Sequence, residues 1–256
     1  MGIAIEAKNL HFSYNGNPVL QNISLSIEEG EFLSILGPNG SGKTTFIKAL
    51  TGIIRDISGE VKLFEKPVSS YRRKSFARHV SFLPQDPPVS LPFFVRDIVM
   101  MGRFPYINRF EMEKSRDVEA AENAMDLMDV GHLAKRHLME LSGGEVKRVF
   151  IAQAVAQESR ILFLDEPTAN LDINYQVEIF RILKKFNDEM KKTIVLITHD
   201  INHAARFAKR IVLLNKGEIV KKGAPEEVIN SKDLKSVFGT DVCIKYDSEK
   251  KPYILI

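Results

Sequence analysis

The sequence predicts an α/β fold with a mixed, largely parallel sheet, an antiparallel β layer at the N-terminus and an inserted helical segment. Residues 3–8 and 23–27 alternate apolar and polar side chains, which is typical of half-exposed antiparallel strands. Residues 161–164 and 194–197 are continuous apolar runs, as expected of central parallel strands covered on both faces. From 87 to 157 the pattern is helical and contains no good strand.

Composition narrows the possible functions before any motif is considered. The chain has 256 residues, 44% hydrophobic and 27% charged, which is ordinary for a globular protein. Its formal net charge of +3 is too small to indicate a nucleic-acid partner. No apolar stretch reaches the length of a bilayer span, and the start at Met1–Lys8 does not resemble a secretory signal. We therefore expect any membrane-spanning part to come from other chains.

A single cysteine, Cys243, predicts neither a disulfide framework nor a Cys/His metal site. We expect it to be a half-buried strand residue in a protein of a reducing compartment.

The chain order predicts one domain, 1–256, with an α/β core from 1–86 and 158–256 and a helical subdomain at 87–157. A helix is expected from Tyr175 to Met190, between two of the buried strands. The rest of the core is predicted to comprise strands near 211–214 and 218–222, helical segments near 225–238 and a hairpin across 248–251.

Residues Gly37–Thr44 fit the pattern G-x-x-x-x-G-K-[ST], placed after the apolar strand 32–36 and before a helix opening at Lys43. Glycines let several backbone N–H groups point at one anion, and the helix adds its positive N-terminal end. Lys43 supplies a charge for the β and γ phosphates, and the Thr44 hydroxyl is placed to ligate Mg²⁺. This motif predicts a P-loop NTPase core. The residues expected to bind nucleotide here are Gly37, Pro38, Asn39, Gly40, Ser41, Gly42, Lys43, Thr44 and Thr45.

Two carboxylates, Asp165 and Glu166, end the apolar strand 161–164. In phosphate-loop proteins an Asp at such a strand end holds Mg²⁺, and a second carboxylate can polarise the attacking water. A pair of surface acids beginning a loop is the alternative, and the phosphate loop favours the functional interpretation.

Five further segments, in the right order, resemble the nucleotide-binding subunits of ABC transporters, and the resemblance spans essentially the whole chain. The P-loop is generic, whereas the signature flanked by an acidic strand end and a histidine is specific. The resemblance to this family implies a RecA-like core. The segments are the signature Leu141–Glu145, the Q-loop Gln85, the D-loop Ala169–Asp172, the switch histidine His199 and the adenine-stacking Tyr14.

The resemblance implies ATP and Mg²⁺ as cofactors and gives each catalytic residue a role. Thr44 and Gln85 are direct Mg²⁺ ligands, and Asp165 acts on the metal through water. Glu166 is the general base. His199 contacts the γ-phosphate, together with the P-loop lysine.

The signature also implies an assembly. Ser142, Gly143 and Gly144 precede a helix predicted at 145–157 and so form a second phosphate-binding helix N-terminus. In the family this end serves the ATP held by the opposite subunit, which implies a head-to-tail dimer with two ATPs between the chains. Asp172 then lies at the dimer seam. Ser142 by itself is also explained as a helix cap.

Within the family, the chain is most similar to ATPases of importers for iron–siderophore, haem and cobalamin. Zinc, manganese and molybdate importers share much of the pattern and stay open as alternatives. The similar segments are Val95–Val99, Met101–Arg103, Pro105–Tyr106, His199–Arg206 and the C-terminal hairpin.

Three positions depart from the subgroup pattern. Phe94 stands where many members carry Thr, and Val146-Lys147 replaces a commoner Arg-Gln or Gln-Gln pair. We expect none of the three to touch the chemistry.

The implied partners are a second copy, integral-membrane permease subunits and, indirectly, an external substrate-binding protein. This places the chain peripherally at the cytoplasmic face of the cell membrane. The permease helix is expected to dock along Leu91–Arg103. The short interval from Gln85 to Leu141 holds no long coiled coil, which argues against DNA-repair relatives and a nucleic-acid partner.

Two interpretations from other classes stay open. A soluble ABC ATPase serving iron–sulfur cluster assembly would bind a scaffold protein, and a neighbouring gene for a permease or a scaffold would discriminate. A regulatory module without turnover is disfavoured by the presence of both Glu166 and His199.

Overall fold

The computed structural model describes residues 2–87, 92–108, 112–169 and 171–255. The chain forms two compact units, one of Met1–Ser70 with Leu183–Ile256 and one of Tyr71–Ile182. Over the described ranges, no helix has the length and apolar character needed to cross a membrane.

The strands follow one another along the chain as β1 (Ile3–Tyr14), β2 (Asn17–Glu28), β3 (Phe32–Leu36), β4 (Ser58–Leu63), β5 (Lys66–Pro67), β6 (Val80–Leu83), β7 (Ile161–Asp165), β8 (Thr193–Ile197), β9 (Arg210–Asn215), β10 (Glu218–Gly223), β11 (Cys243–Tyr246) and β12 (Pro252–Leu255). The α-helices are α1 (Lys43–Leu50), α2 (Arg73–Ala77), α3 (Val95–Met101), α4 (Ser115–Leu127), α5 (Gly143–Ala156), α6 (Ile173–Asp188), α7 (Ile201–Phe207), α8 (Pro225–Val228) and α9 (Ser231–Phe238).

The predicted antiparallel layer is confirmed in the first unit. Strands β1 and β2 pair antiparallel, and β4 and β5 extend the layer in the order β2-β1-β4-β5. The alternation in the sequence arises because one face is buried: Ile5, Leu10 and Ile23 are at most 1% exposed.

The predicted mixed sheet is also present in this unit. Strand β3 pairs in parallel with β8 and β9, and β10 adds antiparallel to β9. All residues of β3 and β8 are buried, which explains why these strands are apolar except at Ser34 and Thr193. In the β3–β8 register Ile35 lies opposite Ile197, so the phosphate loop and His199 leave the sheet at the same edge.

In the second unit β6 and β7 pair in parallel, with Leu83 opposite Leu164. Gln85 and Glu166 therefore also follow neighbouring strand ends. Helices α3, α4 and α5 lie between these strands in the chain, where the sequence predicted helices. The described part of that stretch contains no strand, only an isolated bridge between Phe94 and His137.

The predicted C-terminal hairpin is confirmed as antiparallel β11 and β12. The expectation that Cys243 is half-buried is wrong, because the thiol side chain is exposed. The alternation of β11 places Ile244, which is partly buried, and Cys243 on opposite faces of the strand.

Candidate functional site

The phosphate loop curls between β3 and α1 and depends on a glycine at its end. Gly42, the N-cap of α1, has φ of 101°, and a Cβ there would lie 2.7 Å from the carbonyl oxygen of Val19. Left-handed backbone and close approach both require glycine at this point. The tip at Asn39 and Gly40 is exposed, whereas Gly37 and Ser41 are buried.

Lys43 lies across this curl. Its ammonium donates hydrogen bonds to the carbonyl oxygens of Gly37 and Pro38, both at 2.9 Å, and the residue is only 7% exposed. The loop thus holds the lysine charge against its own backbone. Thr44 and Thr45 follow in the first turn of α1 and are half-buried.

Ser41 shows that the loop suits an anion. The residue is 2% exposed, and its Oγ has no hydrogen-bond partner among the described residues. A buried hydroxyl without a partner costs free energy, and a phosphate oxygen beside the Lys43 ammonium is an acceptor of the right chemistry. The residues present therefore fit a nucleotide phosphate.

His199 is held between the end of β8 and the start of α7. The Asp200 backbone N–H donates to Thr198 Oγ1 at 3.1 Å, and Asp200 caps α7 by accepting from His203 N at 2.8 Å. Burial alone would raise the pKa of Asp200, but hydrogen bonds from the side chain and backbone of His203 outweigh it, and the pKa is lowered. His199 itself is exposed on this fixed turn.

Tyr14 ends β1 with 48% of its surface exposed and packs edge-on against Phe12 at a ring separation of 4.6 Å. The ring is therefore not part of the core.

The acidic strand end of the second unit brings two of the predicted residues together. Asp165 ends β7 and is 1% exposed. Glu166 follows with φ of 49°, an unusual left-handed conformation for a residue other than glycine. Gln85 Nε2 donates to Glu166 Oε2 at 3.1 Å, so the Q-loop side chain orients this carboxylate.

Lys147 contacts one of the predicted site residues of this unit, and the sequence did not predict this contact. Its ammonium donates to the backbone oxygen of Gln85 at 2.6 Å, and the residue is 7% exposed. Burial lowers the pKa of Lys147, opposed by the negative charges of Asp86, Asp165 and Glu166. The contact brings position 147 against a predicted site residue, which the expectation that it does not touch the chemistry did not foresee. The sequence offered little to single out Lys147, because Arg148 beside it is an equally buried cation of the same helix.

The signature forms the N-terminus of α5. Ser142 is the N-cap and accepts from Glu145 N at 3.4 Å, while Glu145 Oε2 accepts from Ser142 Oγ at 2.7 Å and Ser142 N at 2.8 Å. These hydrogen bonds, from the side chain first and then the backbone, lower the pKa of Glu145. Ser142 is therefore a helix cap, and Gly143 beside it is exposed.

Asp172 is exposed, and its carbonyl oxygen accepts from Gln176 N at 3.0 Å in the first turn of α6. Its neighbour Leu171 is 8% exposed, and Asn170 of the predicted D-loop lies outside the described residues.

In the ranges that the structure describes, no cluster of three or more His, Cys, Asp or Glu side chains could hold a metal ion. Mg²⁺ typically takes one or two protein ligands and completes its shell with water and substrate phosphates. The predicted set of a hydroxyl (Thr44), an amide (Gln85) and a buried carboxylate (Asp165) has this chemistry.

Comparison with known proteins identifies the pattern. The family described as "ABC transporter" matches residues 20–169. The hemin import ATP-binding protein HmuV of Escherichia coli O157:H7 is 36% identical, over 98% of this chain and 99% of the relative.

Solved structures of the same family are also similar to this chain. An inward-facing metal-chelate type ABC transporter matches with a TM-score of 0.85 and 31% identity, covering 100% of this chain and 97% of the other. A dimeric ATP-binding cassette in a post-hydrolysis state, bound to ADP and Pi, matches with a TM-score of 0.77 and 30% identity, covering 86% and 98%.

Proposed function

Because this chain belongs to the ABC transporter family, as an ATP-binding subunit, we propose that it hydrolyses ATP at the residues described above to power a membrane importer. The observation that carries the catalytic assignment is the hydrogen bond from Gln85 to Glu166 beside the buried Asp165. This hydrogen bond joins an amide that can ligate Mg²⁺ to a carboxylate that can activate a water molecule, and both residues follow the ends of neighbouring strands.

Phosphoryl transfer to water requires positioning and charge neutralisation more than covalent help. The loop amides, Lys43 and Ser41 bind the triphosphate. Thr44, Gln85 and Asp165 would hold Mg²⁺, the last through water, and the bound ion would supply neutralisation of the phosphate charge.

Glu166 accepts the proton of the attacking water, and its carboxylate is oriented for this by Gln85. His199 contacts the γ-phosphate from its turn between β8 and α7. Tyr14 stacks on adenine, a role that its exposed ring permits.

The working form is a head-to-tail dimer, as supported by the dimeric relative bound to ADP and Pi. The α5 N-terminus, with Ser142, Gly143 and Gly144, binds the ATP held by the second copy. Asp172, exposed beside α6, lies at the seam between the copies.

The transported compound is a metal chelate of the iron–siderophore, haem or cobalamin type. The support is a relative named for hemin import and a structural neighbour of the metal-chelate type. The chain acts peripherally at the cytoplasmic face of the membrane, with an external substrate-binding protein delivering the chelate to the permease.

The permease docks at the start of α3, where Phe93 and Phe94 are 38% and 42% exposed. Of the predicted docking segment Leu91–Arg103, Arg103 is 1% exposed and is not proposed to contact the permease. Leu91 lies outside the described residues. Unchanged membrane association after Phe94→Ala and Arg96→Ala substitutions would remove this proposal.

The proposed function is tested with Glu166→Gln, which keeps the hydrogen-bonding shape and removes the base. We expect ATP turnover to fall by about 10²–10⁴-fold, the usual contribution of a general base. With ATP and Mg²⁺ the variant should elute as a dimer in size-exclusion chromatography, since bound ATP is no longer consumed.

Glu189→Gln is the matched control, because the Glu189 side chain is 64% exposed and lies outside the site. It should hydrolyse ATP like the wild type. Normal turnover by Glu166→Gln would refute the base assignment, and a monomer in ATP would refute the dimer.

A further inference from the structure

We propose that Lys147 is a positioning residue for ATP hydrolysis, which fixes the Q-loop backbone to the signature helix and so holds the Gln85 amide against Glu166. The proposal rests on the proposed roles of Gln85 and Glu166. All three residues belong to the unit Tyr71–Ile182.

The Lys147 side chain is buried and held in place by one hydrogen bond. It leaves α5 one turn after the capping box of Ser142 and Glu145, and 93% of it is enclosed, since only 7% is exposed. A lysine side chain loses much rotamer freedom on burial, so its hydrogen bond must be specific to compensate. That bond goes to the backbone oxygen of Gln85 at 2.6 Å.

The backbone at Gln85 is where such a bond has the most effect. Gln85 lies just beyond the end of β6, in a segment without regular secondary structure. Its side chain must reach Glu166 Oε2 at 3.1 Å. A charge-assisted bond to the carbonyl of the same residue limits rotation of the backbone from which that side chain projects.

The surroundings explain why the anchor is a cation. Asp86, Asp165 and Glu166 all lie close enough to act electrostatically on the ammonium. A buried positive charge offsets the mutual repulsion of these carboxylates. An apolar side chain at this position would fill the space and supply neither the bond nor the charge.

The variant Lys147→Met tests the proposal. Methionine is unbranched and fills a similar space, and of the three neighbouring carboxylates only Asp165 is buried. The circular dichroism spectrum and unfolding midpoint of Lys147→Met, measured beside the wild type, check that the variant is folded. We expect kcat for ATP to fall about tenfold, equivalent to about 1.4 kcal/mol, with KM for ATP within about twofold. The reason is that Lys147 acts on the water-activating carboxylate and not on the phosphate loop. Lys185→Met, at a side chain that is 63% exposed, is the control and should keep the wild-type kcat.

A double-mutant cycle with Gln85→Ala separates positioning from general packing. If Lys147 acts through the Gln85 amide, Lys147→Met should have little further effect on kcat once that amide is absent. Additive losses, an unchanged kcat in Lys147→Met, or a change confined to KM would each overturn the proposal. Failure of the proposed function itself would show differently, as normal turnover in Glu166→Gln.

Discussion

At the scale of single residues, Arg103 has a structural role that its position in a subgroup-like segment did not reveal. Its guanidinium, 1% exposed, bonds Asp117 at 3.1 Å, Glu158 at 2.8 Å and the carbonyl oxygen of Ala156 at 2.6 Å. It also lies 4.3 Å from the ring centroid of Tyr106. Each partner is needed, because a buried ion is stable only when its charge and donors are matched.

We expect Arg103→Met to lower the free energy of unfolding by about 3–5 kcal/mol, since it leaves the buried Asp117 carboxylate without its cation. Arg116→Met is the matched control: its side chain is 81% exposed and only 3.7 Å from Glu158, an exposed pair of small energetic value. Guanidinium-chloride unfolding of both variants measures the difference. Equal losses would contradict the proposed importance of the buried network.

The sequence predicted single residues correctly where a short motif has one usual position in a fold. The Gly37–Thr44 pattern and the paired Asp165 and Glu166 were placed at strand ends, as the structure has them. It failed for the burial of Cys243 and did not foresee the contact of Lys147 with Gln85, because both environments depend on which helix or strand face is covered. Burial of that kind is decided by packing between elements distant in the chain, which periodicity alone does not specify.

At the scale of elements, the turn between β9 and β10 supports the phosphate loop. Gly217 N donates to Ser41 O at 3.0 Å, and Gly217 O accepts from Gln21 N at 2.8 Å. Lys216 and Gly217 have φ of 48° and 80°, the two left-handed residues of a type I′ hairpin turn. This link between β2, the turn and the loop was not visible in the sequence, where the two segments are far apart.

The turn between β1 and β2 provides a matched comparison, because Asn15 and Gly16 have φ of 49° and 81°. A Cβ at Gly16 meets nothing within 4 Å, whereas at Gly217 it would meet the carbonyl oxygen of Val19. We expect Gly16→Ala to cost about 1–2 kcal/mol for left-handed alanine, and Gly217→Ala to cost more. Gly217→Ala should also weaken ATP binding, because its turn holds Ser41.

Thermal unfolding and nucleotide titration of the two alanine variants check this expectation. Equal stability and equal ATP affinity would show that the turn does not support the loop.

Element boundaries were predicted closely where local signals end an element. The helix predicted from Tyr175 to Met190 runs from Ile173 to Asp188, two residues earlier at both ends. The helical segments predicted near 225–238 are α8 and α9, which are separate because Asn230 is extended and caps α9 by accepting from Asp233 N at 2.9 Å. A side-chain cap inside a helical pattern is recognisable in sequence only when the polar residue is known to be non-helical.

At the scale of the whole molecule, the fold class was predictable because a strand buried on one face alternates apolar and polar residues, whereas a strand buried on both faces is continuously apolar. The antiparallel layer, the mixed sheet and the helices between β6 and β7 are all present. The prediction that two copies of the chain share each ATP site has a different origin. It came from the signature, which the structure shows as a well-capped helix N-terminus with exposed glycine at Gly143.

That assembly predicts complementation between two inactive variants. Lys43→Ala removes the phosphate-binding charge, and Gly143→Asp places a negative charge at the α5 N-terminus, where an anion should bind. Gly143 tolerates a side chain, because nothing lies within 4 Å of a Cβ built there. Each variant alone should be inactive, since a symmetric dimer repeats its lesion in both sites.

In a head-to-tail dimer of the two variants, both lesions fall in the same composite site, and the other site pairs an intact loop with an intact signature. An equal mixture should therefore recover about a quarter of the wild-type rate if the two sites act independently, because half of the dimers are mixed and each has one intact site. Phosphate release from the mixture, compared with each variant alone, measures this. A mixture no more active than its components would mean that the sites require each other or that the signature serves the ATP of its own chain. Size-exclusion chromatography of Glu166→Gln carrying Gly143→Asp separates these two explanations. If the ATP-dependent dimer is lost, the signature binds the ATP of the partner. If the dimer persists, that arrangement is refuted.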